Sequence, residues 1–192
     1  MRDQFLVFGA PRIEGAEIEE VVESLRAGWL GTGPKVARFE AAFRDYTGAQ
    51  HAVALNSCTA GLHLAMLVAG LQPGDEVITT PMTFCATVNT IIHAGATPVL
   101  VDCDRETMLI DPHRIEEAVT PRTRAIVPVH LCGRPCDMDA IGRIAARHNL
   151  IVIEDAAHAV EAVYHGKKVG NISQLTCLSF YVTQNIIKGD SG

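Results

Sequence analysis

No run of about 18 consecutive apolar residues occurs in this chain, so no segment has the length of a membrane-spanning helix. The N-terminal stretch MRDQFLVFGAPR holds a single apolar patch broken by Gly9 and Pro11, too weak to read as a secretory signal. Blocks of like charge are missing as well. The formal net charge of -6 is spread along the chain, which argues against nucleic acid or a membrane surface as the partner. Cys58, Cys85, Cys103, Cys132, Cys136 and Cys177 show no framework spacing, so they read as reduced thiols in a cytoplasmic protein. Repeats, low-complexity tracts and linkers are also missing. What remains is 48% hydrophobic and 20% charged, the profile of a folded α/β protein rather than of a disordered chain. Its 192 residues suffice for one domain with a real core.

The positive signal is alternation. Ile18, Val21, Val22 and Leu25 follow helical spacing, and residues 36–46 form a second helical pattern. Short apolar runs, suited to strands buried on both faces, then take turns with helical segments. Strands are expected at HAVAL (51–55), EVITT (76–80), TPVLVD (97–102), RAIVPVH (124–130) and LIVIED (150–155). Helices are expected at 59–70, 83–95, 111–119 and 138–149, with Asp111 capping and Pro112 at the first helical position of the third. This rhythm predicts a three-layer α/β fold, a mostly parallel sheet with helices on both faces.

Parallel sheets of this kind bind ligands at the carboxyl ends of their strands. The turn from Asn56 to Gly61 places Ser57 and Thr59 hydroxyls at a helix N-terminus, where free N–H groups favour phosphate. The same residues would also serve as an ordinary helix cap. Asp155 ends an otherwise apolar strand, and a carboxylate there needs a partner, either a salt bridge or a cationic ligand. His158 follows three residues later. Phe84 opens a helix at another strand end, where its ring could stack on a planar ligand or join the core. His130, Cys132 and Cys136 could supply three zinc ligands, but they lack a fourth and read better as a strand-end loop. Asp102 and Asp104 read as a solvated turn rather than a metal pair.

GWLGTGPKVARFE, ALNSCTAGLHLA, PGDEVITTPMTFCATVNTIIHAGATPVLVD, VPVHLCG, IVIEDAAHAVEA and SFYVTQNI together resemble the DegT/DnrJ/EryC1/StrS sugar aminotransferases. These are enzymes of fold type I that use pyridoxal phosphate (PLP). The resemblance implies that Thr59 and Ala60, helped by Ser57 and Ser179, hold the cofactor phosphate. It implies that Phe84 stacks on the pyridine ring and that Asp155 pairs with the protonated ring nitrogen. His158 stands where the family has Gln or His near the 3-hydroxyl. The implied reaction moves an amino group, typically from glutamate, to a nucleotide-linked keto-sugar, in a homodimer whose subunits share each site.

One position departs from the family pattern. Family members read S-F-x-x-T-K-N where this chain has SFYVTQN, so Gln184 replaces the Schiff-base lysine. An amide is neither nucleophilic nor basic, so PLP is expected to bind non-covalently at most. The sugar 3-dehydrases of the family carry His there, which can still move a proton; Gln cannot. Lys188 is no ready substitute, since four residues of extended chain carry it roughly 13 Å away. Residues 1–192 are expected to form an incomplete PLP-binding large domain without the C-terminal small domain, inactive alone. The alternatives are a lysine-less dehydrase-type enzyme and a degenerate fragment without catalysis.

Overall fold

Period-two alternation along the central strands sorts their side chains into two apolar layers. In the computed structural model, which describes residues 11–181, strand β1 (Glu76–Thr79) sends Val77 into one layer and Ile78 into the other. Strand β3 (Thr123–Ile126) divides Ala125 from Ile126, and β4 (Ile151–Ala156) divides Val152 from Ile153, in the same way. Helices α3 (Cys58–Val68) and α4 (Cys85–His93) cover the first layer with Leu62, Met66 and Ile91. Helices α5 (Pro112–Ala118) and α6 (Met138–His148) cover the second with Ile115, Ile141 and Ile144.

With β2 (Thr97–Leu100) and β7 (Leu175–Leu178), the strands form a five-stranded sheet in the order β2-β1-β3-β4-β7. Every pairing in it is parallel. All carboxyl ends therefore meet at one edge. A small antiparallel pair, β5 (Val163–Tyr164) and β6 (Lys167–Lys168), stands apart from it. The three-layer reading of the sequence holds. Asp111 caps α5 by accepting from the His113 N–H at 2.8 Å, with Pro112 at the first position.

Two strand expectations change. The expected strand at 124–130 is continuous only to Ile126, with the Val127 N–H still bonding the Ile78 carbonyl at 2.8 Å; Pro128 has no N–H to extend it further, and Val129 keeps a single bridge to Asp155. HAVAL at 51–55 is not a strand at all. Its residues and those of β7 line one cleft of about 700 Å³, and among the described residues no neighbouring strand pairs with it. The Ala54 N–H is satisfied instead by the Glu40 carboxylate at 2.9 Å.

Helices α1 (Gly15–Ala27) and α2 (Pro34–Thr47) precede the sheet and are joined by Lys35, which bridges Glu20 and Glu23. Phe39 and Phe43 of α2 meet Phe180 edge-on. The amphipathic spacing of α1 forms the expected helix but buries nothing: Ile18, Val21 and Leu25 are exposed, as are Trp29 and Leu30 after it. Among the described residues, no helix is long and apolar enough to cross a membrane.

Two outcomes follow for the isolated chain. The exposed apolar stripe predicts concentration-dependent association in sedimentation velocity, reduced by Val21→Ser with Leu25→Ser; a single monomeric species at high concentration would contradict it. Ile126, fully buried in the layer under α5 and α6, should cost about 2–5 kcal/mol as Ile126→Ala in urea unfolding, while Leu30→Ala should fall within ~0.5 kcal/mol.

Candidate active site

Five chain segments at the carboxyl edge of the sheet enclose a second cleft of about 680 Å³, one of them residues 129–131 after β3. Ser57 and Thr59 enter it from the start of α3, Phe84 from the start of α4, Asp155 and His158 from the end of β4, and Ser179 from just beyond β7. The structure thus brings Ser57, Thr59, Phe84, Asp155 and His158, which the strand-end argument singled out, together with Ser179, which the resemblance added. Ala60 lies beside them in the first turn of α3. Gln184 and Lys188 lie outside the described residues.

The start of α3 is built as a cap. Ser57 is extended, and its Oγ accepts the Ala60 N–H at 3.1 Å, while Gly61 N–H bonds the Ser57 carbonyl. Helix geometry leaves the N–H groups of Cys58 and Thr59 directed outward, with the Ser57 hydroxyl hydrogen still free to donate. This end of the cleft offers donors and the positive end of a helix dipole. It suits an anion.

The opposite chemistry lies at Asp155, which is 5% exposed. Its Oδ2 accepts the Thr87 hydroxyl at 2.6 Å and its Oδ1 accepts the Ala157 N–H at 3.3 Å. Burial pushes its carboxyl above the usual range, and the Thr87 and Ala157 bonds with the nearby His130 and His158 rings only partly offset this. Among the described residues, no Lys or Arg pairs with it. A buried carboxylate in that position calls for a cation from the ligand.

Glu154, its neighbour in sequence, points into the protein and is fully paired. Its Oε2 meets His130 Nε2 at 2.8 Å, and its Oε1 accepts the Ser173 N–H, the Ser173 hydroxyl and the Thr176 hydroxyl. Burial opposes its charge, yet these donors hold it below the usual carboxylate range. The Cys136 N–H donates to His130 Nδ1 at 3.1 Å, so the ring proton sits on Nε2 and is given to Glu154. Both ring nitrogens of His130 are thereby used within the protein. Cys136 gives its thiol to the Val129 carbonyl, and among the described residues no three His, Cys, Asp or Glu side chains gather as a metal site.

Phe84 is 74% exposed at the cleft, which excludes the core-aromatic alternative. His158 Nδ1 takes the Cys132 N–H at 3.4 Å and lines the same cleft. Asp102 and Asp104 bond backbone N–H groups of their own turn, as a solvated loop does. Sequence reasoning passed over Thr87 and the His130–Glu154 pair. The signal for the pair was present, since Glu154 and His130 are polar groups within or just after apolar strands. Thr87 gave none, being one helical threonine among several.

The site therefore combines an anion-favouring helix start, an exposed ring face and a buried carboxylate awaiting a cation. Against known proteins, a model of the DegT/DnrJ/EryC1/StrS aminotransferase family matches residues 11–192. The chain is 54% identical over 191 residues to the spore coat polysaccharide biosynthesis protein SpsC of Bacillus subtilis, covering 100% of this chain and 49% of that one. It is 47% identical over 184 residues to the GDP-perosamine synthase of Caulobacter vibrioides, covering 95% and 50%. Spr1654 of Streptococcus pneumoniae, solved in a PLP form, superposes with a TM-score of 0.93 at 37% identity, over 97% of this chain and 52% of that one. The chain spans about half the length of the curated relatives it matches.

The carboxyl of Asp155 gives a stability test. A group whose folded pKa is raised contributes stability below its unfolded pKa, near 3.9 for aspartate, and loses it as pH rises through the folded value. Asp155→Asn has no charge to bury. It should raise the thermal midpoint of the ligand-free chain at pH 7 by a few degrees, with the gain vanishing below about pH 3.9. Equal midpoints at pH 7 would show that the buried charge costs nothing.

Proposed function

The chain belongs to the DegT/DnrJ/EryC1/StrS aminotransferase family, and on that footing we propose that it is the PLP-binding large domain of a nucleotide-sugar aminotransferase, with the relatives' remaining half lying outside residues 1–192. The observation that carries the reading is Asp155, a buried carboxylate at the cleft without a cationic partner among the described residues, set with a helix start that favours an anion. PLP has a phosphate at one side of a flat ring and a protonatable nitrogen at another. The donor set fits it.

The N–H groups of Cys58 and Thr59, with the Ser57, Thr59 and Ser179 hydroxyls, take the phosphate; the Ala60 N–H is already committed to Ser57. Phe84 would cover one ring face, Asp155 would hold the ring nitrogen protonated, and His158 would stand by the 3-hydroxyl. PLP, when bound, supplies an electron sink for carbanion chemistry. A relative named as a GDP-perosamine synthase supports a nucleotide-linked sugar as the substrate class, and the proposed reaction takes its amino group from an amino acid such as glutamate and gives it to a keto-sugar. The proposed intact protein would be a homodimer whose subunits share each site.

Gln184 limits what this chain does by itself. Its amide cannot bond covalently to the cofactor or carry a proton at the substrate carbon. The chain alone therefore binds PLP reversibly and does not transaminate.

An absorbance titration with PLP, then borohydride reduction and peptide mapping, tests this. Saturable binding is expected with no stoichiometric adduct, while Gln184→Lys should give a reducible adduct at residue 184. Asp155→Ala should weaken binding at least tenfold, the scale of a lost charge-assisted bond. A wild-type chain that does not bind PLP would overturn the cofactor assignment. Stoichiometric labelling of Lys188, or measured turnover by the chain alone, would overturn the inactivity.

A further inference from the structure

Thr87 lies in α4 with no exposed surface and does not line the cleft, yet it reaches across to β4. A hydroxyl carries one hydrogen, so its bonds can be counted. Thr87 Oγ1 lies 2.6 Å from Asp155 Oδ2 and 3.1 Å from the Phe84 carbonyl. The charged acceptor at the shorter distance takes the proton. Thr83 and Thr87 hydroxyl oxygens are also 2.6 Å apart, and either could donate. With the Thr87 hydrogen spent on Asp155, Thr83 must be the donor. Donation therefore runs from Thr83 to Thr87 to Asp155.

We infer that Thr87, backed by Thr83, is a positioning residue that fixes the Asp155 carboxylate in orientation and keeps it ionised for a cationic ring nitrogen. The inference rests on the PLP reading above for the identity of that cation, but the relay itself rests on the three side chains. The relay is directional. If Asp155 took up a proton on Oδ2, that oxygen could no longer accept the Thr87 hydrogen, which would have to turn to the Phe84 carbonyl at 3.1 Å. The Thr87 bond to the carboxylate therefore opposes protonation, against the burial that favours it.

Other groups face Asp155 as well. The Ala157 N–H bonds Oδ1, and the His130 and His158 rings lie near enough to favour its charge. The thiols of Cys58 and Cys177 feel it in return, and burial followed by the Asp155 charge pushes Cys58 upward. Cys177 is raised to about 12 by burial and the same charge, so both thiols stay neutral. Among the described residues, Thr87 is the only side chain hydrogen-bonded to the Asp155 carboxylate. Its position one turn after Phe84 ties the carboxylate to the helix that presents the exposed ring.

The test separates positioning from simple packing. Carboxyl carbons of labelled aspartate report the Asp155 titration directly in the ligand-free chain, and absorbance with added PLP reports affinity across pH. Thr87→Val, close in shape but without a donor, should move the Asp155 titration to higher pH and weaken PLP binding roughly tenfold near neutrality. Thr87→Ser should restore both. Thr83→Val, at a half-buried position, should shift the titration in the same direction by less, and it stands in if Thr87→Val does not fold. A folded Thr87→Val with unchanged titration and affinity would overturn the inference, as would failure of the serine to rescue. A wild-type chain that ignores PLP removes the functional reading, whereas the carboxyl titration still decides the relay.

Discussion

A sheet whose strands all run the same way must deliver every carboxyl end to one edge, and the candidate site follows from that constraint. The crossovers from β1 through β2 and β3 to β4 return the chain through helices and that from β4 to β7 runs through the small β5–β6 pair, so each strand end is also the approach to a loop or helix start. Ser57, Phe84, Asp155 and Ser179 come from four separate stretches of sequence and share a cleft only because the strands are parallel. The same crossovers bury both faces of the sheet. That burial deprives Asp155 of water and makes its charge chemically useful.

Two adjacent carboxylates show how the fold divides its buried charge. In an extended strand, consecutive side chains face opposite ways, so Glu154 and Asp155 enter different environments. Glu154 is met by His130, Ser173 and Thr176 and stays charged as a structural fixture. Asp155 receives one hydroxyl and one N–H, too few to offset burial. A fully paired carboxylate is finished within the protein; an underpaired one is left for something else. This asymmetry separates scaffold from site without any appeal to a relative.

Much of this was legible in the sequence, and the failures have particular causes. The alternation of apolar runs gave the layers because a parallel strand, buried on both faces, reads as a continuous run. Asp111 with Pro112 announced its helix because cap chemistry is local. Residues 51–55 looked like a strand because local composition cannot say whether a neighbouring backbone is present to pair with. Pro128 was the visible warning that the ladder of 124–130 would stop. Thr87 stayed hidden for a related reason: its partner lies 68 residues away, and nothing in a helical threonine signals what it will face. The consequence of Gln184 came only through resemblance, since an amide in a polar loop means nothing until a lysine is expected there.

An underpaired buried carboxylate also couples folding to ligand. While Asp155 is charged and alone, it draws down the stability of the folded state; a cation bound beside it returns that stability. Ligand that binds only the folded chain adds roughly 2.7 kcal/mol at a free concentration of 100 Kd. In a site with a covalent lysine the cofactor stays attached, and this coupling is nearly permanent. With an amide at residue 184, the proposed cofactor is held by mass action alone, through the helix start, the Phe84 ring and Asp155. Retention then depends on how well those groups are arranged before the ligand arrives. The relay from Thr83 through Thr87 bears on that arrangement, because it fixes the one group whose charge the ligand must match.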